Sequence, residues 1–269
     1  MSRPSANINV MIRAAHKAAR ALVRDFGEVE QLQVSQKGPA NFVSIADTRA
    51  ERTIREVLEH ARPGYGFLME ESGETPGTDE RHRWIVDPLD GTTNFLHGIP
   101  HFCTSIALER DGEVIAGVIH DPIRDETFWA EKNSGAFLSD QRLRVSGRRS
   151  VEEAVVATGI PHRGRGDHAA YIPRLTAMMA VCSGVRRMGS AALDLAWVAA
   201  GRYDGYWEDG LAPWDLAAGI LIVREAGGFV TERDGGSRMI ATGSVVAANG
   251  NIQPQLQRLL DDRLRAISR

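Results

Sequence analysis

The chain has 269 residues, 43% of them hydrophobic and 25% charged, with a formal net charge of −3. That length holds one large domain or two modest ones, the composition is that of a soluble globular protein, and the near-balanced charge excludes a bulk basic field for binding nucleic acid. Its two cysteines, Cys103 and Cys182, lack CxxC spacing, so neither a disulfide framework nor a zinc site is expected and a reducing compartment fits. The N-terminus carries charge where a secretory leader needs an apolar run. No stretch approaches the roughly 18 apolar residues of a membrane span. The expected location is the cytoplasm.

Apolar residues at helical spacing from Ile8 to Phe26 predict a first helix stopped by Gly27. A second runs through Ala50, Ile54, Val57, Leu58 and Ala61 to Pro63-Gly64. The texture then changes. "YGFLM" and Trp84-Ile85-Val86 read as strands, each ending in acid. Residues 102–132 alternate, with a hairpin turn at Asp111-Gly112 and a second near Pro122. Short apolar runs follow around 142–160. Helical spacing returns after Ser190, placed to cap, and stops at Gly201. It resumes at Pro213, suited to a first turn, and ends at Gly227-Gly228. Strand-like "GFVTE" and "GSVVAAN" precede a closing amphipathic helix over 253–267. Glycine-rich turns at 164–166 and 235–236 read as surface loops. A helix pair, an antiparallel sheet, then mixed elements describe a layered α/β or α+β body.

Asp87 and Asp90 sit three residues apart in "DPLDG". Such strings are usually plain turns, and Pro88 with this spacing excludes an EF-hand loop. Glu70-Glu71 follow "YGFLM", and Asp215 lies in the first turn of a predicted helix, where the dipole favours an acid. Each acid alone has an ordinary structural explanation. Together they stand at the ends of different elements, the arrangement from which oxygen-ligand sites for hard cations are built. Mg²⁺ would be shared with a substrate phosphate, and two such ions about 3.5–4 Å apart activate a water and stabilise the departing oxygen. On this reading Asp90 bridges, with Asp87 or Glu70 to one side and Asp215 to the other. The chain shows no P-loop, dinucleotide fingerprint or Gly-x-Ser-x-Gly elbow.

"WIVDPLDGTTNFLHGIPHF" and "PWDLAAGILIVREAGG" resemble the two motifs of the inositol monophosphatase family. "KGPANFVSIAD", the "EES" at 70–72 and "RRMGSAALDLAWVAAGRYDGYWE" extend the likeness over about 8–265, nearest to the bacterial SuhB-type branch. The resemblance implies a single domain over 1–269, a layered αβαβα sandwich of α/β (α+β) class, with two halves meeting near 140–155. It implies a Mg²⁺-dependent phosphomonoesterase holding two to three ions. Glu70, Asp87 and the Leu89 carbonyl would hold the first. Asp87, Asp90 and Asp215 would hold the second, which makes Asp87 the bridge, and Glu70 would share a third with waters. The catalytic set would be Glu70 with Thr92 and Asp47, the last two orienting and helping to deprotonate the attacking water. The amides of Gly91 and Thr92 would meet the phosphate; Asp90, Ala191 and Glu208 would face sugar or inositol hydroxyls.

The implied substrate is myo-inositol monophosphate. Other small sugar or polyol phosphates (fructose 1,6-bisphosphate, histidinol phosphate) are alternatives that "DGTTNFLHGIPHF" disfavours. A different class of function is a SuhB-type transcription-associated protein-binding factor, with Arg186 and Arg187 on its partner or dimer surface. A homodimer and lithium sensitivity are implied; membrane association and direct nucleic-acid binding are not expected. Met69 stands where the family often has glycine, and Lys37 and Asn41 match a loop that covers the metal site in relatives, or are a plain polar loop. His97 and His101 read as packing or rim residues, since a hard oxygen site needs no imidazole, and Trp197 and Trp207 as core or interface aromatics.

Overall fold

The computed structural model describes residues 3–28, 34–36, 42–162 and 166–260. Helix α1 (Ala6–Phe26) starts at Ser5, whose hydroxyl accepts the Ile8 N–H, and buries Ile8, Met11, Ala15 and Leu22 along one stripe. Helix α2 (Ile45–Ala61) does the same with Ala46, Ala50, Ile54 and Leu58. A small antiparallel ribbon, β1 (Val34–Gln36) with β2 (Phe42–Ser44), lies between them in sequence.

The large sheet contains β3 (Tyr65–Met69), β4 (Gly73–Thr75), β5 (Asp79–Asp90), β6 (Cys103–Arg110), β7 (Glu113–Asp121), β8 (Glu126–Glu131), β9 (Gly135–Leu138) and β10 (Gln141–Arg142). Its order is β10-β9-β8-β7-β6-β5-β3-β4, with β3 and β5 parallel and the other pairs antiparallel. Both expected hairpins are present. Asp111 and Gly112 take φ of 53° and 79°, the left-handed pair that a two-residue turn requires, and residues 122–125 join β7 to β8. The short helix α3 (Thr92–Leu96) follows β5.

The second sheet has β11 (Val155–Thr158), β12 (Gly184–Arg186), β13 (Gly205–Glu208), β14 (Phe229–Thr231) and β15 (Val245–Ala248), in the order β12-β11-β13-β15-β14. With it come α4 (His168–Met179), α5 (Ala191–Ala199), α6 (Pro213–Glu225), α7 (Met239–Thr242) and α8 (Gln253–Leu260). The sequence pattern did not announce α4. It carries Pro173 internally, and its start is fixed by Asp167 accepting the Ala170 N–H. The last part of the expected closing helix, 261–267, lies outside the described residues.

The layers follow from which faces are apolar. Helices α1 and α2 cover one face of the large sheet, α5 and α6 fill the space between its other face and the second sheet, and α4 and α8 close the far side. This is the expected αβαβα arrangement. Helix α5 is buried along nearly its whole length, which is why it reads "AALDLAWVA" rather than as an amphipathic stripe. Truncating Leu195, fully buried in this central layer, to alanine is expected to lower unfolding free energy by about 2–5 kcal/mol. Urea unfolding measures this, and a loss below about 1 kcal/mol would show that the layer repacks around the gap.

Candidate metal and phosphate site

In a regular strand, residues three apart point to opposite faces. Asp87 and Asp90 do not, because β5 bulges between them. Asp87 pairs with Ser105 and Asp90 with Cys103, so three steps on β5 oppose two on β6. Pro88 suits the bulge, having no N–H to offer the ladder. One oxygen from each of Asp87, Asp90 and Asp215 then lies within 4.8 Å of the others. Beyond the bulge Gly91 takes φ 99°, and a side-chain carbon there would come within 3.1 Å of the His101 carbonyl. Glycine thus lets the chain turn directly into α3.

Each carboxylate is held by one oxygen. The Leu89 N–H donates to Asp87 Oδ1 (2.9 Å). At the start of α6, the Ala212 N–H donates to Asp215 Oδ2 (2.8 Å). Asp90 Oδ2 accepts both the Ser190 hydroxyl and the Ala192 N–H, each at 2.7 Å. Ser190 occupies the expected cap position of α5, but its side chain makes no capping bond. Its hydroxyl is turned to Asp90 instead, a correction to its expected role. Thr92 Oγ1 donates to the Leu89 carbonyl at 3.0 Å.

Burial, with Glu70, Asp90, Asp215 and Asp47 facing it, pushes the Asp87 carboxyl well above the usual carboxylate range. Asp215 is pushed up by burial and by Asp90. Burial also raises Asp90, but its bonds from Ser190 and Ala192 oppose the shift. Several acids therefore share one poorly solvated space and cannot all ionise without a compensating charge. The donor set contains only oxygen, which suits a hard divalent cation.

Glu70, Asp87, Leu89, Asp90, Gly91, Thr92, Ala191, Glu208 and Asp215 line one cleft. Glu70 belongs to its wall while standing outside the 4.8 Å trio. Asp47 is buried in the first turn of α2, near enough to act on Asp87. Arg187, expected on a partner surface, lines the cleft as well, whereas Arg186 is an exposed residue of β12. His101 is buried edge-on against Trp197, pushed down to about 4 by burial and Arg124, and His97 is exposed at the end of α3. Trp207 is core, while Trp197 is half-buried between Arg124 and Arg202. Met69 packs into the core beneath α1 and α2. Lys37 and Asn41 lie outside the described residues. Sequence reasoning missed Ser190 as a partner of Asp90 and also missed Gly159, His162 and Tyr206. Alternation along a strand carries a signal for Tyr206 alone, since it shares a face with Glu208 two residues on.

A layered α/β body with acids clustered at a cleft, beside a glycine turn into a helix, defines a metal-dependent phosphatase type of site. The chain belongs to the inositol monophosphatase family, whose model matches residues 4–267. It is 59% identical over 262 residues to the inositol-1-monophosphatase of Mesorhizobium japonicum, covering 97% of this chain and 98% of that one. It is 41% identical over 263 residues to the Nus factor SuhB of Escherichia coli, covering 97% and 98%. The crystal structure of the extragenic suppressor protein suhB from Bartonella henselae superimposes with a TM-score of 0.94 at 58% identity, over 96% of this chain and 99% of that chain.

The raised pKa values fix a sign. A folded carboxyl that holds its proton above the unfolded pKa contributes stability at low pH, and loses it as pH rises from about 4 through the folded pKa. In chelator-treated protein, replacing Asp87 by Asn is expected to raise the thermal midpoint relative to the unsubstituted chain increasingly from pH 5 to pH 8. Adding a divalent cation should erase that advantage. A midpoint difference independent of both pH and cation would show that the acids do not repel one another.

Proposed function

We propose that the chain hydrolyses the phosphate monoester of a small polyol, myo-inositol monophosphate foremost, with Mg²⁺ as its cofactor. The carrying observation is the trio Asp87, Asp90 and Asp215, with Glu70, opening on the same cleft as the Gly91–Thr92 turn. In the proposed assignment Glu70, Asp87 and the Leu89 carbonyl would hold one ion, Asp87, Asp90 and Asp215 a second, and Glu70 a third with waters. Asp87 rather than Asp90 would serve both of the first two. It faces Glu70, Asp90 and Asp215 together, while one Asp90 oxygen is already committed to Ser190 and Ala192. Bound there, Mg²⁺ supplies positive charge against the phosphate oxygens and lowers the pKa of water.

The chain's own groups position the reactants. The Gly91 and Thr92 amides meet the phosphate where α3 begins. Asp90, Ala191 and Glu208 meet the polyol hydroxyls. The Thr92 oxygen accepts a hydrogen bond from the attacking water, and its single proton, donated to Leu89 here, turns to Asp47 to pass on that carboxylate's pull. We read residues 1–269 as one domain with a seam near 140–155; one continuous core between the sheets supports this. A cytoplasmic homodimer completes the reading. A transcription-associated partner is a second reading, favoured by the name of the Escherichia coli relative; the intact acid set argues that catalysis persists beside it.

Phosphate release from a panel of sugar and inositol phosphates, with and without Mg²⁺, tests the activity. Asp87→Asn and Asp215→Asn are each expected to collapse turnover while the chain stays folded, and millimolar lithium to inhibit the unsubstituted enzyme. Near-native turnover of either variant at limiting Mg²⁺ would overturn the two-metal assignment.

For the dyad, Thr92→Ala and Asp47→Asn are each expected to lower kcat by about 10²–10⁴-fold, the usual worth of general-base help, and to leave KM within a few-fold. The double variant should be scarcely worse than either single one, because groups acting as a unit are not additive. Multiplicative losses, or native kcat in Thr92→Ala, would sink the dyad.

A further inference from the structure

Strand β11 runs parallel to β13, with Ala157 opposite Tyr206 and Thr158 opposite Trp207. The next residue, Gly159, therefore falls beside Glu208. A side-chain carbon on Gly159 would lie 1.9 Å from Glu208 Cδ and 2.0 and 2.1 Å from its two carboxyl oxygens. The carboxyl fills the volume that any other residue at 159 would occupy. Tyr206 stands two residues before Glu208 on the same strand and face. Its ring is fully buried, and its hydroxyl donates to Glu208 Oε2 at 2.6 Å.

We propose that Gly159 and Tyr206 form the seat of the Glu208 carboxyl, and that this seat sets selectivity for polyol phosphates over phosphate esters without hydroxyls. The inference rests on the reading of Glu208 as a polyol contact and names what makes it one. Gly159 and Glu208 both line the cleft. With Oε2 tied to Tyr206, Oε1 is left to accept from a substrate hydroxyl. An acceptor held in one direction reads a hydroxyl in one place, whereas a loose carboxylate reads none in particular. Burial also pushes Glu208 up to about 7, with Asp194 and Asp90 adding to the rise. The Tyr206 hydroxyl and Arg187 pull it back, so the seat also favours the ionised acceptor.

The glycine is replaceable without breaking the backbone, since Gly159 is absent from the positive-φ glycines. In Gly159→Ala the far end of the Glu208 side chain is what gives way. The test is steady-state kinetics of the full-length chain at saturating Mg²⁺, on myo-inositol 1-phosphate and on p-nitrophenyl phosphate, whose ring offers no hydroxyl. Glu208→Gln, Tyr206→Phe and Gly159→Ala are each expected to lower the ratio of kcat/KM for the inositol ester to that for the aryl ester about tenfold, through KM rather than kcat. The double variant Tyr206→Phe with Glu208→Gln should match Glu208→Gln alone.

A native ratio in Glu208→Gln would overturn the polyol-contact reading itself. A lowered ratio in Glu208→Gln with native ratios in Tyr206→Phe and Gly159→Ala would overturn the seat and leave that reading standing. Parallel loss on both esters in those two variants would mark a structural role and overturn the claim of selectivity.

Discussion

Carboxylates that repel one another in a space too poorly solvated to screen them are the constraint around which the molecule is arranged. At a few ångströms and reduced dielectric, two like charges oppose each other by several kcal/mol. Turning one away would relieve this, and the backbone prevents it. Leu89, Ala192 and Ala212 each donate an N–H to one oxygen of a different acid, so the carboxylates stay gathered whether or not anything compensates them. Such preorganisation keeps the reorganisation out of the chemical step.

The acids do not come from one part of the chain. Glu70 follows β3, Asp87 and Asp90 lie on β5, and Asp215 begins α6. The first three hang from the large sheet, while α6 belongs to the layer between the sheets. Ser190 and Ala192, at the start of α5, reach from that same layer to Asp90. The wall of the cleft formed by Glu208 and Gly159 comes from the second sheet. All three layers thus contribute wall to the one cleft, and the central helices hold the two sheets' shares in register.

Acids with an obvious place in their own element were legible in the sequence. Asp87 and Asp90 close an apolar strand, Glu70 ends another, and Asp215 opens a helix announced by Pro213. The helices α1, α2, α5 and α6 were legible for the same reason, through local periodicity and stops. Ser190 was visible as a cap, yet its partner lies 100 residues away, and no local pattern encodes that distance. Gly159 carries no signal at all, because its function is the absence of a side chain opposite a residue on another strand. Helix α4 was obscured by Pro173, a residue that ordinarily ends helices.

The bulge at Asp87–Asp90 makes the spacing of this segment matter more than its composition. Pro88 and Leu89 supply backbone to the site, so an exchange of either side chain leaves both acids where they are so long as the extra residue remains. Deleting one residue between the acids would leave both on one face, as residues two apart are, but it would flatten the bulge that turns the Leu89 N–H to Asp87 and the Leu89 carbonyl to Thr92. Across descendants of this chain, the segment can drift in letters but not in count.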